Sequence, residues 1–393
     1  MTRYYSCRPS GECLVVAAQK IGARRPREAA SFRGICGEAQ PALVIHSMKI
    51  GLILSHGGPA GIWTSGCQGA ALLAAAELNA GGGVLGQEIE LVEVNSGESQ
   101  DSAFQAAQRL AIDENVDAVI GLQSSDLRFA VRRGLGGLAP YIYTPHYEGG
   151  FCGPGTAQLG ITDAEVLNPS LDWMVSHRKA RRFFFVGNNY IWPRIAHGTT
   201  LDAVKQAGGT FTGDALLPFG ERDYAEVLDR IRKARADVVV IAMLGEDSVC
   251  FNRAFAEAGL SGTITRLNLA FDETQLLALA DGGTENLFAA QAYFDASRGT
   301  GRDALVERYD ACFSGRRPTM TANSVQFYDA IYLVAAIARQ VGRVDGCRMA
   351  HFLRPRLHRD DAYRMIGRSD ADAKVRLAEA DGIDFVLRQA FVA

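Results

Sequence analysis

Apolar positions along this chain follow two rhythms that alternate. Short runs rich in β-branched and aromatic residues, KIGLILS (49–55), IELVEV (89–94), DAVIGL (117–122) and PYIYT (140–144), have the length and composition of buried strands. Between them GCQGAALLAAAELNA (66–80), stopped by Gly81, Gly82 and Gly83, and then FQAAQRLAIDE and RFAVRRGLGGL read as helices. A βαβαβ series of this kind predicts a parallel sheet covered by helices.

The series then repeats. Helices over 167–177, 194–207, 223–234 and 247–259 lead into RRFFFVG, TFTGDALLP, ADVVVIAML and TITRLNLA, and LLALA leads into ENLFAAQAYF. Two α/β units in succession predict two lobes, each with its own sheet and core. The pattern breaks at YFDASR, a long helix follows over 324–342, and VRLAEADGIDFVLRQ reads as a hairpin about its Asp-Gly turn.

With 393 residues there is chain enough for about two such domains. The 41 Lys and Arg against 44 Asp and Glu leave no basic footprint for nucleic acid or an anionic membrane. A small neutral or zwitterionic partner is expected instead, without metal or cofactor. No apolar run approaches the ~18 residues of a membrane span. Residues 1–47 carry only the run LVVAA, followed by Lys20, Arg24, Arg25 and Arg27 in place of a small-residue cleavage site. They are expected to be a disordered extension or a misassigned start, with a fresh beginning at Met48. The eight cysteines show neither CxxC pairs nor zinc-finger spacing, which suits a reducing compartment.

Ligands of open α/β sheets sit beyond the carboxyl ends of the strands, so the loops there are the candidates. QSSDL offers Ser124 and Ser125 at a helix start, as an N-cap or as donors to a ligand oxygen. YTPHYEGG places Tyr143, Thr144, His146, Tyr147 and Glu148 in one loop, aromatic walls around a rigid proline. His146 alone reads better as a structural histidine than as a base. GNNYIWPR adds Asn189, Tyr190 and Trp192, with Pro193 fitted to a first helical turn. LGEDS and LAFDE complete the set with Glu246 and Phe271, their acids also suited to capping helices. GGGVLG joins a helix to a strand and so is no dinucleotide loop, and Cys67 reads as a buried helix residue.

Taken in order, KIGLILS with ALLAAAELNAGGGVLGQEIE, then YTPHYEGGFC, FVGNNYIWPR and RADVVVIAMLGEDSVCFNRAF, resemble the type I solute-binding proteins. The nearest branches are the amide sensor of aliphatic amidase operons and the urea-binding and Leu/Ile/Val-binding-like proteins. The resemblance runs from about Met48 to about Gly342. It implies two Rossmann-like lobes joined by three hinge crossovers, with a small amide, urea or amino acid clamped between them. It also implies that Ser124, Ser125, the YTPHYEG loop, Tyr190 and Trp192 line the cleft. Lobe 1 is then expected over 48–165 plus 296–343, and lobe 2 over 166–295 plus 344–393.

The sequence departs from the family at Asn189, where an acid is common, and in HRDDAYRMIGRSDADAK. A neutral amide removes a charge-assisted acceptor, which disfavours plain urea or acetamide. The expected function is non-catalytic: Tyr143, Tyr147, Tyr190 and Trp192 as walls, and Ser124, Ser125, Thr144 and Asn189 as hydrogen-bonding groups. A cytoplasmic sensor acting on a regulatory protein is the first reading. The alternative is an exported component serving an ABC permease in the periplasm, and the remote alternative an amide hydrolase using Cys67 or Glu148. A homo-oligomer is compatible with either of the first two.

Overall fold

The computed structural model describes residues 3–7, 13–16, 47–279, 282–296, 302–313, 317–368 and 375–391. The apolar runs become two seven-stranded sheets. The first holds β1 (Arg3–Cys7), β2 (Cys13–Val16), β3 (Met48–Leu54), β4 (Ile89–Asn95), β5 (Ala118–Leu122), β6 (Tyr141–Tyr143) and β7 (Thr156–Gln158). Its spatial order is β2-β1-β4-β3-β5-β6-β7, parallel from β4 to β7, with β1 and β2 antiparallel at the edge. The expectation of an extension over 1–47 otherwise lies outside the described residues.

The second sheet repeats the plan. Strands β8 (Arg182–Asn188), β9 (Thr210–Leu217), β10 (Val238–Ala242), β11 (Thr265–Asn268) and β12 (Leu287–Gln291) run parallel in the order β9-β8-β10-β11-β12. The hairpin of β13 (Arg376–Asp381) and β14 (Asp384–Ala390) joins β12 antiparallel, turning at Gly382 with φ 62°. Strands β5, β10 and β12 are buried at every position because helices cover both faces of a parallel sheet.

In each sheet the strand order reverses beside the first parallel strand, between β3 and β5 and between β8 and β10. Loops leaving such a switch point diverge to opposite faces and open a crevice. The helices that begin there are α1 (Thr64–Ala80), α2 (Gln100–Gln108) and α3 (Ser125–Leu135) on the first sheet. On the second they are α4 (Asp163–His177), α5 (Ile191–Gln206), α6 (Ala225–Lys233), α7 (Gly245–Glu257) and α8 (Glu273–Ala278).

The chain passes between the sheets three times: from β7 into α4, from β12 into α9 (Asp303–Cys312), and from α12 (Arg359–Met365) into β13. Helix α10 (Ala322–Val341) packs along α1, and α11 (Gly346–Phe352) and α12 pack on α10. Those contacts group α11 and α12 with the first sheet, although a boundary at 343 would assign them to the second lobe. No strand separates α10 from α11 and α12, so the strand–helix alternation gives no signal that these two short helices stay beside it. Part of the segment 358–374 lies outside the described residues. No described helix is long and apolar enough to cross a membrane.

Candidate functional site

The strand-end loops of both sheets converge on one cavity of about 520 Å³, mouth included. A cavity of this volume suits a small solute. The loops touch one another as well: the imidazole Nδ1 of His146 lies 3.0 Å from the Leu269 carbonyl, linking the first sheet's loop to the second sheet.

From the first sheet come Trp63, the turn Gln123–Ser125, Tyr143, Pro145 and His146. Gln123 is fixed by three bonds: its amide donates to the Ile53 carbonyl (2.8 Å), while Tyr141 donates to its side-chain oxygen (2.7 Å) and Tyr143 to its backbone carbonyl (2.9 Å). Ser124 is the N-cap of α3, yet its hydroxyl makes no capping bond and is left for the cavity. The first N–H groups of a helix have no intrahelical acceptor, so this corner favours a ligand oxygen or carboxylate.

The Ser125 hydroxyl donates to Glu148 Oε2 at 2.7 Å, and Arg128 Nη2 donates to Glu148 Oε1 at 2.7 Å. The Arg128 guanidinium also lies 5.0 Å from the Tyr143 ring centre, a cation–π support behind the wall. Burial pushes the Tyr143 hydroxyl well above its ordinary pKa, so it remains a neutral donor.

From the second sheet come Tyr190, Trp192, Leu244, Ala270, Asp272 and Gln291, with Asn323 from the start of α10. Trp192 donates its indole N–H to Asp163 Oδ1 at 2.9 Å, and the Tyr190 ring stands 6.2 Å from it. Burial also pushes the Tyr190 hydroxyl up. Gln291 is held by a 2.9 Å bond to the Leu269 carbonyl.

Asp272 caps α8, accepting from the Thr274 N–H at 3.0 Å, and is buried. Burial raises its carboxyl to about 6, an effect partly offset by donors at Thr274, Trp63 and Thr321. Near neutral pH it offers a carboxylate to a ligand N–H or ammonium group.

Of the eleven residues named from sequence, Ser124, Ser125, Tyr143, Tyr190 and Trp192 line this cavity. The other six lie elsewhere. Asn189 turns outward, its side-chain oxygen accepting from Arg194 at 3.0 and 2.7 Å. The buried amide is its neighbour Asn188, which donates to Asp247 (2.9 Å) and accepts from the Leu244 N–H (2.8 Å). Thr144 donates to the Gly121 carbonyl at 3.1 Å inside the first lobe. Tyr147 packs edge-on behind Tyr143, and Glu148 is taken by Arg128 and Ser125. Glu246 is exposed and faces Arg222 at 3.3 Å. Phe271 is fully buried against the apolar layer with Phe294 and Leu276.

Sequence reasoning passed over Trp63, Asp272, Gln291 and Asn323. Asp272 stood in a loop already marked, one position from the residue chosen; Trp63 and Asn323 had no local signature. Cys67 is fully buried in α1, and burial holds its thiol well above the usual range, so no thiolate is presented to the cavity.

Two doubly wound sheets, three crossovers and a cleft lined by loops from both define a two-lobed cleft protein. Residues 47–378 match the periplasmic binding protein model, and the chain belongs to that family. The substrate-binding protein LivJ of a branched-chain amino acid transporter from Streptococcus pneumoniae, solved with isoleucine, superposes with a TM-score of 0.74. It is 17% identical over 88% of this chain and 99% of that one. A leucine-binding protein, LivK, from Thermotoga maritima gives 0.69 at 17% identity, covering 87% and 98%. An R. palustris solute-binding protein in complex with benzoate gives 0.69 at 16% identity, covering 88% and 96%. At these identities the likeness concerns the fold.

Proposed function

We propose that the protein captures one small polar solute in the interlobe cleft, without chemistry, and presents it to an ABC permease. One observation carries the reading: a helix start with a spare Ser124 hydroxyl on one sheet and a buried Asp272 carboxylate from the other face a common aromatic-walled cavity. A solute bearing both an oxygen acceptor and N–H donors, such as an amino acid, an amide or a urea, meets both groups; a benzoate would use only the first. Delivery to a permease, in place of a cytoplasmic sensor role, is supported by the family match and by the transporter-component titles of the similar structures. Bound solute would hold the lobes together through contacts with both, which is how differential affinity stabilises a closed state.

The test is calorimetric titration and thermal unfolding with a panel of amino acids, amides, ureas and benzoates. An N–H-bearing solute is expected to raise the melting temperature, with affinity lost in Tyr190→Ala and in Asp272→Asn. If benzoates alone bind, the assigned class is wrong, and if no solute binds, the reading fails. Recovery of the natural protein from the cytosol alone would sink the permease assignment.

A further inference from the structure

A second cavity lies beneath the first crossover. There Tyr147, in the loop after β6, bridges to Thr162 just before α4, and residues 356–360, at the start of α12 and just before it, complete the wall. At about 510 Å³, mouth included, it is close in size to the solute cavity, and its lining is largely polar.

The lining donors outnumber the acceptors. Gln158 is buried; its side-chain oxygen accepts from the Cys152 N–H at 3.2 Å, while its amide nitrogen has no partner. The Arg359 side chain is 10% exposed, and its Nε and Nη1 are buried without an acceptor; only Nη2 is used, on Glu165. Glu165 is already engaged, its Oε1 accepting from Arg359 and its Oε2 from the Thr162 N–H (2.8 Å) and hydroxyl (2.7 Å). Arg356 stands beside the Tyr147 hydroxyl and adds a second guanidinium. Asp360, the other carboxylate of the lining, is exposed.

Buried N–H groups without acceptors are costly, and those of a guanidinium most so. A metal ion would be repelled, and an apolar guest would leave the donors unmet. We infer that this cavity is a site for a small oxyanion, distinct from the solute cleft, held by Gln158, Arg359 and Arg356 through charge-assisted hydrogen bonds. The anion would join the β6–β7 region and the crossover to the start of α12. The inference does not depend on the solute assigned above.

The experiment is thermal unfolding of the full chain against inorganic phosphate, sulfate and acetate at constant ionic strength. Wild-type protein should show a saturable rise in melting temperature with at least one of them. Gln158→Glu, which keeps the acceptor for Cys152 but places a negative charge where the donor was, should weaken the apparent affinity about tenfold or more. Arg356→Gln, at an exposed position and so tolerant of change, should weaken it as well, and carries the test if the first variant does not fold. Tyr190→Ala should leave the response intact. The inference is overturned by no rise, by an unsaturable rise equal in wild type and Arg356→Gln, or by a response abolished in Tyr190→Ala, which would place the anion in the solute cleft.

Discussion

The imidazole Nε2 of His146 and the carboxylate Oδ1 of Asp163 lie 2.9 Å apart, joining the loop after β6 to the first residue of α4. The same oxygen accepts the Trp192 indole N–H. One buried carboxylate therefore orients the aromatic wall of the second lobe and anchors a loop of the first.

Asp163→Ala should leave the Trp192 N–H buried without an acceptor and cost about 1–3 kcal/mol, read as a lower urea midpoint. Asp163→Asn keeps an acceptor and should cost less. Equal losses in the two variants would mean that packing, and not the hydrogen bond, is what the site requires.

The Arg128–Glu148 pair is nearly dry, with side chains 3% and 6% exposed. Removing one partner strands a buried charge, so Glu148→Ala should destabilise by about 3–5 kcal/mol. Replacing both, as Arg128→Met with Glu148→Leu, should recover most of that in guanidinium unfolding. A double variant as unstable as the single would show that the charge pair is needed for packing as well.

Asp272 titrates at about 6 when folded, against ~3.9 for an unfolded aspartate. The folded state then holds the proton more tightly. Its contribution is fully present below about pH 4 and is lost as pH rises through about 6, amounting to ~3 kcal/mol. Asp272→Asn should flatten part of that slope in stability measured from pH 4 to 7. The buried Glu273 carboxyl, pushed up by its own burial and by Asp272, acts with the same sign, so a residual slope is expected. A variant with an undiminished slope would remove Asp272 from this role.

Gly245 opens α7 with φ 45°, and a Cβ there would stand 1.7 Å from the Pro59 carbonyl of the opposite lobe. Gly245→Ala should push the loops apart and weaken solute affinity about tenfold or more, because the competent closed state is depopulated. Solution scattering should report a larger radius of gyration with solute present. Unchanged affinity would mean that the Pro59 loop yields without opening the cleft.

Much of the architecture was legible because it rests on local periodicity. Alternating strand and helix signatures marked the order of elements, and the Asp-Gly turn marked the final hairpin, where Gly382 supplies the left-handed residue. Tyr190, Trp192 and Ser124 stood out because they close strands with polar and aromatic groups that a core does not require. Which neighbour faces the cavity was less legible. Asp272, next to Phe271, faces the cavity, while Asn189 turns to solvent and Asn188 is buried on Asp247, since the face each side chain takes at a strand end depends on what packs against it.

The sequence by itself determined the two α/β units, their parallel sheets and the end of the sheets where a ligand could sit, all consequences of hydrophobic period and chain connectivity. Which loop residues meet was decided only in three dimensions. Trp63 and Asn323, 260 positions apart in the chain, share one cavity because α10 packs along α1. Glu148, an expected ligand group, is instead consumed by Arg128. Packing of distant elements and the pairing of buried charges leave no trace in local pattern.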